Sequence, residues 1–266
     1  MKNKAECRAI DEPLPPEFLE ALNLCTKLIS VRATGDPDRL TVANDSLRAD
    51  LLGDPPVPTL ISAADQPVVT LLHSFLELMQ VPNHFKAMAT MVRLYPWGGK
   101  ISRSQHMESC YYLIVHETYI LEERLKAFTK ALIECATSQS FEVDLSSAHK
   151  YAIKLHNAFF GEMVAARGIH VHQRSYVPRE IKRLGTLELL MLNPLNDPTV
   201  DAALWRFLHR LAFRDARKKW IKNADDASKA AQYVIGHLLV QTQLVWRTVM
   251  QEELNKLEPI GASTNL

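Results

Sequence analysis

The residues with the most chemical potential lie close together in one stretch, Glu162-Met163-Val164-Ala165-Ala166-Arg167-Gly168-Ile169-His170-Val171-His172-Gln173. An arginine is permanently charged and forks onto phosphate oxygens. A histidine takes or gives a proton near neutral pH. Together they suit phosphodiester cleavage in RNA without a metal. One group moves the proton of the 2′-hydroxyl or of the leaving oxygen, and the other steadies the charge developing around phosphorus. Arg167 and His172 are five positions apart, about 140° around an ideal helix, so local unwinding would help them converge. Two simpler roles stand beside this one. Arg167 can complement the dipole at the C-terminal end of its helix, and the histidines can cap carbonyls of the last turn. A metal is a third option, with His170 and His172 joined by Glu162 or His156. Histidines at i, i+2 converge on a strand and diverge by about 200° on a helix, so helix disfavours it.

Arg167-x4-His172, late on a helix of an apparently all-helical chain, resembles the R-x4–6-H motif of the HEPN superfamily. The resemblance rests on the motif residues and on an architecture spanning roughly residues 104–258. It implies a helical bundle and a metal-independent endoribonuclease of a defence or toxin–antitoxin system. It also implies a homodimer in which two motifs face one cleft, with Arg167 and His172 as the catalytic pair. Gly168 stands where members of the superfamily often carry a polar residue, frequently Asn, and His170 is placed to supply the missing donor. Tyr176 follows as a positioning residue. No cofactor is implied; an antitoxin or another protein partner fits such a system.

A second feature is cationic. From Arg167 to Lys222 there are 12 Lys/Arg against 5 Asp/Glu, a net +7, whereas the rest of the chain carries −6. Within this segment lie Arg174, Arg179, Lys182 and Arg183. Arg206, Arg210, Arg214 and Arg217 fall within an arc of about 80° if the segment is helical. Such an arc is either a solvated helix face or a track for RNA phosphates that reads no sequence. Trp205, Phe213 and Trp220 fit a core better than a stacking platform. Elsewhere, His116, Glu117 and Arg124 suggest a buried polar network. Ser102, Ser104 and His106 suggest helix-start chemistry rather than a nucleophile and its base. Asn83-His84 reads as a helix start.

The elements that must position these groups are helical. Glycine is scarce, 9 in 266 residues, which disfavours a turn-rich fold. Apolar spacing predicts helices over 18–31, 66–80, 83–94 (after a break at Pro82), 104–136, from the N-cap run Asp144-Leu145-Ser146-Ser147 to about 172, 179–192, 200–221 and 226–257. The last two are expected to join near Asn223. No stretch alternates with period two. The expected fold is all-α, an elongated helical bundle (66–266) behind a loop-rich N-terminal arm, helix and linker (1–65). Gly35-Asp36-Pro37 and Gly53-Asp54-Pro55-Pro56 interrupt that linker.

Several function classes lose ground. There is no run of about 18 apolar residues and no apolar leader. Walker A, G-x-G-x-x-G, H-E-x-x-H and G-x-S-x-G motifs are absent from the sequence. Four scattered cysteines, Cys7, Cys25, Cys110 and Cys135, suit reduced thiols in a cytoplasm. The reading with no catalysis at all is a helical interaction module or scaffold.

Overall fold

A computed structural model describes residues 66–95, 101–172, 177–192 and 201–257, with a few helical positions between 16 and 28; side chains from 166 to 172 are outside the description. Every regular element among these residues is a helix. They are α1 (Gln66–Arg93), α2 (Arg103–Ser138), α3 (Ser146–His172), α4 (Arg179–Leu192), α5 (Ala202–Gln241) and α6 (Gln243–Leu257). The all-α expectation therefore holds. The linker that contains Gly35 and Gly53 lies outside the described residues.

Helix ends follow local chemistry. Ser102 and Gln105 form a reciprocal capping box at the start of α2. Gln105 N–H donates to Ser102 Oγ at 3.2 Å and Ser102 N–H to Gln105 Oε1 at 2.9 Å, so two N-terminal donors that the helix cannot satisfy are paired. Asp144 accepts the Ser146 N–H at 2.8 Å before α3. Its hydrogen bonds from the Ser146 hydroxyl and amide hold its carboxyl below the ordinary aspartate range. Asp201 accepts from Ala203 and Leu204 N–H at 2.9 and 3.0 Å before α5. At the other end of α2, Ser140 takes φ 65°. Phe141 N–H then reaches back to the Ala136 carbonyl at 2.9 Å, the six-to-one bond of a Schellman ending.

Two expected breaks are corrected. Pro82 lies inside α1, which is unbroken from Gln66 to Arg93. The Pro82 carbonyl accepts the buried Ser228 hydroxyl at 2.8 Å, and Val81, Phe85 and Ala89 are buried around it. Tertiary packing thus outweighs the roughly 3 kcal/mol that proline costs inside a helix. His84 consequently sits mid-helix, not at a start. The chain also does not turn at Asn223. It is helical through to Gln241, because Ala224, Ala227, Ala230 and Ala231 are buried small residues with strong helix propensity. The break falls at Thr242 instead. There the Trp246 indole N–H donates to the Leu239 carbonyl at 2.9 Å, replacing a helical donor.

Contacts divide the chain into two compact units. One is formed by Leu78–Arg124 and Ile153–Val234. Its core stacks Phe85 on Phe160 at 6.0 Å and sets Tyr111 edge-on to Trp220 at 5.1 Å. Ile181, Leu184 and Leu187 are the buried face of α4. The other unit draws on Leu125–Ala152, Ile235 onward and the described positions before Leu78. It packs Phe75 on Phe128 at 6.1 Å, with Leu28, Leu71, Leu132 and Trp246 buried. Each fully buried side chain of this size contributes about 1.5–3 kcal/mol of transfer free energy.

Candidate functional site

The cationic residues of α5 come first. His209, Ala212, Phe213, Ala216 and Trp220 are buried and recur at helical spacing, which sets the inner face. Arg206, Arg210, Arg214 and Arg217 are all exposed. Arg206 Nε donates to the Ala202 carbonyl at 3.1 Å, and Arg214 Nε lies 3.4 Å from Asp215. On α4, Arg179, Lys182 and Arg183 are exposed, and Glu180 takes an ion pair from Lys219 of α5 at 2.6 Å. Trp220 and Phe213 are core residues, as their spacing suggests; Trp205 is half-buried.

The backbone is helical through Arg167, Gly168, His170 and His172. Their side chains lie outside the described residues, as do Arg174 and Tyr176 altogether. His156, offered above as a metal ligand, is fully buried and donates through Nε2 to the Thr118 carbonyl at 2.8 Å. Its Nδ1 has no hydrogen-bond partner. Among the described residues no group of three His, Cys, Asp or Glu side chains is placed to hold a metal ion.

A carboxylate that spacing alone had not singled out organises the start of α2. Glu188 of α4 accepts the Ser104 N–H at 3.0 Å and also the Ser104 hydroxyl. Ser102 Oγ lies 2.9 Å from Ser104 Oγ. On the other side His209 Nε2 stands 3.2 Å from Glu188 Oε1. Burial pushes the Glu188 carboxyl upward, but the bonds from Ser104, Ser102 and His209 outweigh it, and the group sits below the ordinary glutamate range. An ionised carboxylate only accepts, so His209 must carry its proton on Nε2. Glu188 therefore caps α2 from another helix, with its negative charge at the positive end of the dipole. Ser102 and Ser104 do helix-start chemistry, as expected. A sequence signal exists for Glu188: it falls four after Leu184 and seven after Ile181, on the buried face of α4.

Neighbouring polar groups are similarly structural. Glu117 is buried; its Oε1 lies 2.8 Å from His84 Nδ1 and 3.9 Å from Arg124 Nη1. The expected network of Glu117 and Arg124 is there, with His84 as its third member, while His116 is exposed. His106 is buried, with Nε2 3.1 Å from the Met91 carbonyl and its ring edge-on to Tyr95. Burial lowers its pKa against a smaller opposing effect of the Met91 bond. Arg103 lies over the Phe213 ring at 4.8 Å.

No family model, no curated protein and no solved structure matches this chain. Among the described residues, no helix is long and apolar enough to cross a membrane.

Proposed function

We propose that the chain is an RNA-binding helical protein that holds the phosphate backbone electrostatically. The observation that carries this is the row Arg206, Arg210, Arg214 and Arg217, exposed on α5 beside its buried face. Guanidinium groups spaced one helical turn apart meet successive phosphates without reading bases. Arg174, Arg179, Lys182 and Arg183 extend the cationic supply. The resemblance to HEPN proteins extends the reading to metal-independent cleavage, with His172 moving the proton, Arg167 steadying the phosphate, and His170 and Tyr176 assisting. It adds a homodimer that joins two motifs. The buried cysteines Cys110 and Cys135 suit a reducing cytoplasm.

The test is fluorescence anisotropy with a single-stranded RNA. Wild type should bind, and Arg206→Ala/Arg210→Ala should weaken it severalfold while retaining the fold; equal affinity would remove the proposal. Cleavage is tested separately in EDTA. His172→Ala should abolish it, and equal cleavage by both proteins would remove the catalytic part alone.

A specific observation favours the second reading, a helical interaction module. Leu189 and Leu192 on α4 are 65% and 74% exposed, and Leu204 and Phe207 on α5 are 47% and 50% exposed. Exposed apolar side chains in this number invite a protein partner. Binding through them should respond little to salt, unlike RNA binding.

A further inference from the structure

A groove between α1 and α5 lies within the first unit and has a volume of about 540 Å³. Lys86 from α1 lines it, together with Lys218, Lys222 and Lys229 from α5, over a floor that includes Ile221. Two acids share the rim, Asp225 and Asp226. Both carboxylates are already matched. Asp226 holds Lys222 at 2.8 Å, and Asp225 holds Arg93 at 3.3 Å. Ser228 is buried and spends its hydroxyl on the Pro82 carbonyl, which fixes α1 against α5 and keeps the groove's walls in register. Four lysines line the groove beside two aspartates.

Lys218 stands one turn before Lys222 on α5 and lines the same groove. Lys86 adds its ammonium from the opposite wall. Concave surfaces focus such a field and raise the local concentration of anions. The volume lies within the range of small-molecule sites, about 300–1,000 Å³, and the lysine stems with Ile221 supply apolar lining. We propose that this groove binds a compact phosphate-bearing molecule carrying at least two negative charges, with Lys86 and Lys218 as its principal contacts. The same phosphate chemistry has a second source in an RNA backbone, and the two are separable by experiment. The arginine row on α5 plays no part in the proposal.

Isothermal titration calorimetry of the full chain with inorganic pyrophosphate is the direct test. Wild type should bind one equivalent saturably. Lys86→Ala/Lys218→Ala should weaken binding about tenfold, in keeping with two lost charge-assisted contacts. Lys86→Arg/Lys218→Arg should keep it, and Arg206→Ala/Arg210→Ala should leave it unchanged. Both lysines are exposed, so the variants should unfold at the wild-type temperature. Absence of saturable binding at millimolar pyrophosphate overturns the proposal. So does pyrophosphate affinity that the lysine pair does not alter. If the lysine pair weakens only binding of a single-stranded RNA, the groove belongs to the RNA track and the compact ligand is wrong.

Discussion

Replacing Glu188 by alanine removes one carboxylate and leaves the donors of Ser102, Ser104 and His209 to find new partners. The Ser104 hydroxyl can turn to Ser102 Oγ, already at 2.9 Å, so its loss is small. The Ser104 N–H is a helix N-terminal donor, and losing a cap of this kind costs about 1 kcal/mol. His209 is only 7% exposed, and a buried donor stripped of its acceptor costs about 1–3 kcal/mol. The sum is about 2–4 kcal/mol of unfolding free energy for Glu188→Ala. Glu188→Gln keeps an acceptor oxygen but loses the charge, and should cost about 1 kcal/mol. Urea unfolding followed by circular dichroism reads both, with unchanged slopes. The pH dependence fixes the sign. A carboxyl whose pKa is lower folded than unfolded stabilises the fold above the unfolded value, and that stability is lost as pH falls through the folded one. The gap between wild type and Glu188→Gln should be full at pH 7, and should shrink as pH drops below the ordinary value of 4.5. A loss under about 0.5 kcal/mol in Glu188→Ala, within the range of ordinary surface changes, would refute the capping argument. So would a gap that does not change with acid.

Two further outcomes follow from single residues. Burial pushes the Cys110 thiol up from 9.0 to about 11, so the neutral form is favoured in the fold. Its stabilisation is present below pH 9 and disappears between about 9 and 11, a loss of about 2–3 kcal/mol; alkaline melts of Cys110→Ala should lack that component. Ser140 holds φ 65°, a region that costs a non-glycine residue about 1 kcal/mol. Ser140→Gly should therefore raise stability by several tenths to 1 kcal/mol in thermal unfolding.

Much of the helical framework was legible. In the sequence, Pro178 and the Asn193-Pro194 pair bracket α4, so its ends coincide with the expected 179–192. The apolar stripe from Ser104 to Ala136 is α2 to within two residues at each end. What was illegible depended on partners distant in sequence. Ser228, 146 residues away, is part of what keeps the chain helical past Pro82, and no local pattern reports that. The break at Thr242 follows no glycine or proline; Trp246 makes it tolerable by reaching back to Leu239. Glu188 looked like one polar position in a leucine-rich helix, because its role needs the α2 terminus 84 residues away. The exposed arginine row was legible from spacing alone. The lysine groove was not, since Lys86 and Lys218 share no local motif.

The central claim is that α5 carries a track for the phosphate backbone, and counterion release tests it most directly. Each phosphate neutralised on a single strand contributes about −0.7 to the slope of log K against log salt, so four arginines contribute about −3. Anisotropy titrations of a single-stranded RNA between low and moderate salt should show that contribution. It should disappear in the quadruple variant Arg206→Ala/Arg210→Ala/Arg214→Ala/Arg217→Ala. An identical slope in the variant, or no RNA affinity in the wild type at low salt, would contradict the account.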